Sequence, residues 1–296
     1  MDIPTLSLLN IYFRKNIGLI ALVFVIFLFS GSTGIPEKSK IHKSVPAVQS
    51  TMLQIGEELE YKVSYSFFTI GTIRIQVVDA VTNNGRTIYR TKAFINSNPS
   101  LTWLVDLHIQ FESEMDPSIY SHGWIGDDST KKEVTYRRFA FDYNKNRVTM
   151  DRGRKISGGV RKTEVLDTTA ISGQCQDGLS LFFYARENVR QKKQVSVLTF
   201  IDKQEASTLI NFQNAIADAD IDAVDYPIEV VALDGKADYV GVFGLTGGFR
   251  GWFSNDEARI PIIARMNVIL GSIKIELMKW NRPGWQPPKY TKGNRP

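Results

Sequence analysis

From Leu59 to Phe67 apolar and polar residues alternate without a break. Leu59, Tyr61, Val63, Tyr65 and Phe67 fall on one side, and Glu60, Lys62, Ser64 and Ser66 on the other. After Phe68-Thr69-Ile70-Gly71 the alternation resumes, with Ile73, Ile75 and Val77 against Thr72, Arg74 and Gln76. Strand side chains have a period of two, so the stretch predicts a hairpin with one buried and one wet face. Gly71 is the residue expected to carry its turn.

The pattern recurs. Strands are expected over 87–95, 104–115, 119–125, 133–143 and 147–150, and again over 195–201, 207–212, 227–232, 239–243, 249–254, 259–266 and 272–278. Residues 151–162, rich in Gly, Arg and Lys, read as an excursion. Residues 213–224, rich in Ala and Asp, fit a loop or a short helix equally well. One segment breaks the rhythm. Between Asp177 and Arg190, Leu179, Phe182 and Phe183 share one face at helical spacing. Asp177 is a suitable N-cap, because its carboxylate accepts from free first-turn amides. The fold expected is mainly all-β: a strongly curved antiparallel sheet, a rolled barrel or two-sheet sandwich, with one mid-chain helix packed on it.

The two ends differ from this body. Arg14 and Lys15 precede a nearly unbroken apolar run from Ile17 to Phe29, and small residues follow at Ser30-Gly31-Ser32. Residues 1–33 therefore read as an export signal cut after Ser32, with an uncleaved inner-membrane anchor as the alternative. Residues 34–54 read as a linker, 55–278 as a single antiparallel β domain with its helix at 177–190, and 279–296 as a basic, Pro-rich tail. The net charge is +5, but its excess sits on the two ends, which leaves the body between them net negative. A nucleic-acid binder needs positive charge on its folded face, so that class is set aside. Membrane contact is expected only through the N-terminal segment. The single cysteine excludes an internal disulfide and a multi-cysteine metal site. No cysteine follows the apolar run, which excludes lipidation there.

Few residues suggest chemistry. Cys175 lies just before the helix, where the N-terminal dipole can stabilise a thiolate, and His122 is the one credible base. The alternative is a lone thiol in a loop. His108 and His122 lack the further ligands that a catalytic zinc takes, so no metal and no cofactor is implied. The glycines of 241–248 do not continue into a phosphate loop and read as a strand turn. Around the acidic turn 252–261, Trp252 could stack on a ligand while Asp256 and Arg259 clamp a polar or anionic group. Read without function, this is a hairpin whose Asn and Asp serve the turn.

Three of these stretches also carry a resemblance. Gly56-Glu57-Glu58-Leu59-Glu60-Tyr61 with Ile70-Gly71, the segment Asp177-Gly178-Leu179-Ser180 ending in Arg186, and Trp252-Phe253-Ser254-Asn255-Asp256 with Arg259-Ile260-Pro261 resemble, in this order, the motifs of a bacterial exported family. It is known as domain of unknown function 3108. The resemblance spans roughly 55–278 and implies an exported, β-rich protein of the periplasm or cell envelope, with no assigned activity. Cys175 lies outside its motifs.

The leading expectation is a non-enzymatic envelope protein. Large residues expected to point inward, such as Tyr61, Tyr65, Phe67, Phe111, Phe139 and Phe141, suggest a rolled sheet enclosing a lipid-like or other amphipathic ligand, or docking an envelope partner. The rivals are a hydrolase using Cys175 and His122, and a structural adaptor.

Overall fold

The computed structural model describes residues 52–83, 85–101, 107–129, 133–240, 245–268 and 271–291. The described residues form fourteen strands and one α-helix. The first arm is β1 (Glu58–Tyr65), β2 (Phe68–Asn83), β3 (Arg86–Ser97), β4 (His108–Met115), β5 (Ser121–Ser129), β6 (Val134–Asp142), β7 (Arg147–Lys155) and β8 (Arg161–Ala170). The helix α1 (Gly178–Asn188) follows. The second arm is β9 (Lys193–Ile201), β10 (Gln204–Ala219), β11 (Ile228–Val240), β12 (Leu245–Ser254), β13 (Pro261–Val268) and β14 (Ser272–Asn281).

All fourteen strands belong to one sheet, in the order β8-β7-β6-β5-β4-β3-β2-β1-β14-β13-β12-β11-β10-β9. Each neighbouring pair is antiparallel. The first and last strands meet in the middle, while β8 and β9, consecutive in the chain, lie at opposite edges. That order dictates curvature. Laid flat, thirteen strand spacings would separate the edges by about 60 Å. Yet Gln176, six residues beyond β8, donates its amide to Leu198 O and accepts from Phe200 N, both on β9. Six residues reach about 20 Å. The sheet is therefore rolled until its edges approach, although strand pairing does not close it.

The helix occupies the inside of the roll. Leu179 and Phe183 pack with Leu59, Tyr61, Ile75, Tyr89, Met115 and their neighbours. Leu181, Tyr184 and Ala185 pack against Ile210, Phe212, Val231 and Phe253 of the second arm. A third cluster, Phe139, Phe141, Val148, Met150, Cys175 and Phe200, seals the seam between the arms. A helix gripped on several sides needs no single apolar stripe.

Several expectations change. The turn of the first hairpin lies at Ser66-Phe67, so Phe67 is solvent-exposed and not a core residue. Gly71 lies inside β2 instead, where an added Cβ would stand 2.4 Å from the carbonyl oxygen of Asn96. Tyr65 and Phe111 are half-buried. The supposed excursion at 151–162 is most of the β7–β8 hairpin. Residues 213–219 complete β10. Met52 and Leu53, assigned to the linker, are fully buried. The tail also folds back: Trp285 is buried, and Pro288 and Tyr290 bond to the backbone of Glu229 and Pro227. A sandwich is replaced by one continuous sheet. The start of the strand expected from 104, and residues 241–244 of the glycine turn, lie outside the described residues.

Candidate functional site

The polar chemistry of the interior gathers at the two ends of α1. At the N-terminus Asp177 and Ser180 form a capping box. Asp177 Oδ1 accepts from Leu179 N at 2.7 Å and Ser180 N at 2.9 Å. Its Oδ2 accepts from Ser113 Oγ of β4 and Ser121 Oγ of β5, each at 2.6 Å. Burial pushes this carboxyl up, against the pull of the four donors. The cap thus ties the helix to two strands of the first arm.

At the other end Arg186 is fully buried. It grips Glu57 with two bonds, Nη1 to Oε1 at 2.6 Å and Nη2 to Oε2 at 3.0 Å, and donates Nη2 to Ala258 O at 2.9 Å. Arg282 also donates to Glu57. The rings of Phe182 and Phe183 lie within 6 Å of the guanidinium. The Tyr61 hydroxyl is buried nearby and has no hydrogen-bond partner among the described residues, and burial pushes its ionisation upward. The node joins the entry to β1, the helix, the β12–β13 turn and the exit from β14.

That turn absorbs two of the residues expected to hold a ligand. Asp256 Oδ1 accepts from Ser254 Oγ, Ala258 N and Arg259 N, and its Oδ2 from Trp285 Nε1 at 2.7 Å. Arg259, at a left-handed φ of 47°, donates to Glu187 O at 2.6 Å and so caps the C-terminal end of α1. Trp252 is half-buried against the core, with Arg250 over its ring at 5.5 Å. The structure brings Asp256 and Arg259 together, but as backbone-organising groups.

Cys175 and His122 do not form a dyad. The thiol is buried and donates to Gly173 O at 3.4 Å, with Glu205 Oε1 at 3.9 Å. Burial and the Glu205 carboxylate push it up to about 12, away from the thiolate that nucleophilic attack requires. His122 instead meets Asp116 Oδ2 at 2.9 Å and Arg86 Nη2 at 2.7 Å. Its ring stands edge-on to Tyr143, whose hydroxyl bonds to the backbone of Ser121 and Cys175. His108 meets Asn96 at 2.9 Å.

A cavity of about 30 Å³ lies at the seam, between Arg137, Phe139, Met150, Arg152, Val165 and Asp202. It has room for about two waters, far below the size of a pocket for a lipid chain. Among the described residues no cluster of three or more His, Cys, Asp or Glu is placed to hold a metal.

The family model described as "Protein of unknown function (DUF3108)" matches residues 60–278. The chain belongs to the DUF3108 family. A comparison with curated proteins found no match. Among solved structures, the DUF3108 chain is similar to the crystal structure of a beta-barrel-like protein of domain of unknown function DUF1849 from Brucella abortus. The TM-score is 0.50 at 8% identity, covering 77% of this chain and 97% of that one, which bears on fold alone. In this DUF3108 member the three motifs of the sequence meet at one place: Glu57 from the first, Arg186 from the second and Ala258, next to Arg259, from the third. Sequence reasoning missed Glu57 as the partner of Arg186, Arg282 as the second donor to Glu57, and Ser113 and Ser121 as donors to the cap. The one available signal was an arginine set among the apolar residues of a short helix.

Proposed function

We propose that this DUF3108 member is exported to the cell envelope and acts there as a non-catalytic docking protein that meets its partner on the outside of the sheet. The observation that carries the reading is that the chain's own helix fills the inside of the roll. Phe183, Phe200 and Phe212 are fully buried there, and the space expected for an apolar ligand is taken by side chains. Export rests on the charged flank, apolar run and small residues of 1–33. A hydrolase is disfavoured by the protonated, buried thiol.

The test is native mass spectrometry of the protein recovered from the envelope fraction of its host. The expected result is a chain shortened at the signal and carrying no small-molecule adduct. A co-purified lipid or other amphipathic molecule would replace docking with ligand carriage, and recovery from the cytoplasm would remove the envelope assignment.

A further inference from the structure

The two ends of the rolled sheet differ in chemistry. At the end that holds α1, the described turns expose mainly polar residues: Asp116-Pro117-Ser118, Asn144-Lys145-Asn146, Asn255-Asp256-Glu257, and Asp220, Asp222 and Asp225 of the β10–β11 turn. At the opposite end two hairpin tips project apolar side chains. In the β1–β2 tip Phe67 is 82% and Phe68 53% exposed, and their rings lie against each other at 4.1 Å. In the β7–β8 tip Ile156 is 51% and Val160 58% exposed, on either side of Ser157-Gly158-Gly159. β1 and β7 are six antiparallel steps apart in the sheet, so they run in the same sense and both tips lie at the same end.

The second tip is also cationic. Arg154 and Lys155 enter it and Arg161 and Lys162 leave it, with no acid from 152 to 163. Three of these cations have acidic neighbours: Glu133, beside Arg154, is 48% exposed, but Glu164 and Asp127 are mostly buried. Arg154 is 48% exposed and Glu164 12%; Arg161 is 45% exposed and Asp127 10%. Lys155 shares Asp127. The surface offered to solvent is therefore positive around two aliphatic side chains. A hairpin tip normally carries Gly, Asn or Asp, so four apolar side chains on two tips ask for an apolar contact.

We propose that this end of the sheet docks on an anionic lipid surface, with the Phe67-Phe68 and Ile156/Val160 tips entering the interface and Arg154, Lys155, Arg161 and Lys162 meeting the head groups. Apolar groups that reach the head-group boundary, flanked by Lys and Arg that meet anionic lipid, are the physical features of interfacial binding. Projecting tips suit a deformable lipid surface, whereas a stable protein interface buries a broad, packed core. The assignment goes beyond docking in general and does not depend on whether the interior is empty or filled.

The test uses the chain with Ser66→Cys carrying an environment-sensitive dye; Cys175 is buried and stays unlabelled. The dye reports the tip itself, so a retained N-terminal apolar segment does not confuse it. With vesicles of phosphatidylglycerol the emission should shift to the blue, and with phosphatidylcholine it should shift little. F67S/F68S should weaken the response about 10-fold, as should I156S/V160S with the label unmoved. All four residues are exposed, so both variants keep the fold. A dye silent on phosphatidylglycerol, whatever protein the chain binds, or one that responds in both variants as strongly as with the apolar tips intact, overturns the proposal.

Discussion

Arg186 carries a full charge into the packed centre of the fold and survives there because Glu57, Ala258 O and two aromatic rings surround it. A buried pair contributes little net stability against an apolar substitute, but breaking it strands the surviving charge. Arg282 still meets Glu57 when Arg186 is removed, so Arg186→Met should cost less than the ~3–5 kcal/mol of a fully stranded buried charge in urea titration, and adding Arg282→Gln should bring the loss into that range. Arg186 and Glu57 are 129 residues apart, and nothing local in the sequence joins them. Cys175 was legible as a position but not as a chemistry. Its place before a helix suggests a thiolate, and only the packing shows that burial wins. In the folded chain the thiol holds its proton to about 12, against an ordinary value of 9.0. Stability linked to it is whole below pH 9 and is lost as pH rises toward 12. A thiol-specific reagent at pH 8 should leave the native protein unmodified and react with one thiol after unfolding; rapid reaction with the native chain would restore the nucleophile.

At the scale of elements, α1 depends on its ends. Asp177→Ala removes the cap and leaves the Ser113 and Ser121 hydroxyls buried without their acceptor. The expected cost is about 2–4 kcal/mol, read from chemical denaturation, with S113A/S121A recovering part of it. The strands were legible where one face is buried and the other wet, as along β1. They were not legible along β8, whose residues are mostly exposed on both faces, so that no alternation marks it. The tail was misread for a related reason. Its prolines exclude a regular central strand, but they do not prevent Trp285 from reaching Asp256, or Pro288 and Tyr290 from bonding to the start of β11.

For the whole molecule, strand order decides the shape. Placing consecutive strands at opposite edges and joining them through a short helical segment forces the sheet to roll around that segment. Periodicity predicts the strands but not their order, which is why barrel and sandwich stood level in the sequence. The account's central claim is that α1 is a permanent core of the roll and not a lid over a ligand site. Amide hydrogen exchange of residues 178–188 tests this most directly. Exchange as slow as in the central strands β1 and β14, through global unfolding alone, is the result expected. Fast exchange of the helix while those strands stay protected would show a plug that opens, and would contradict it.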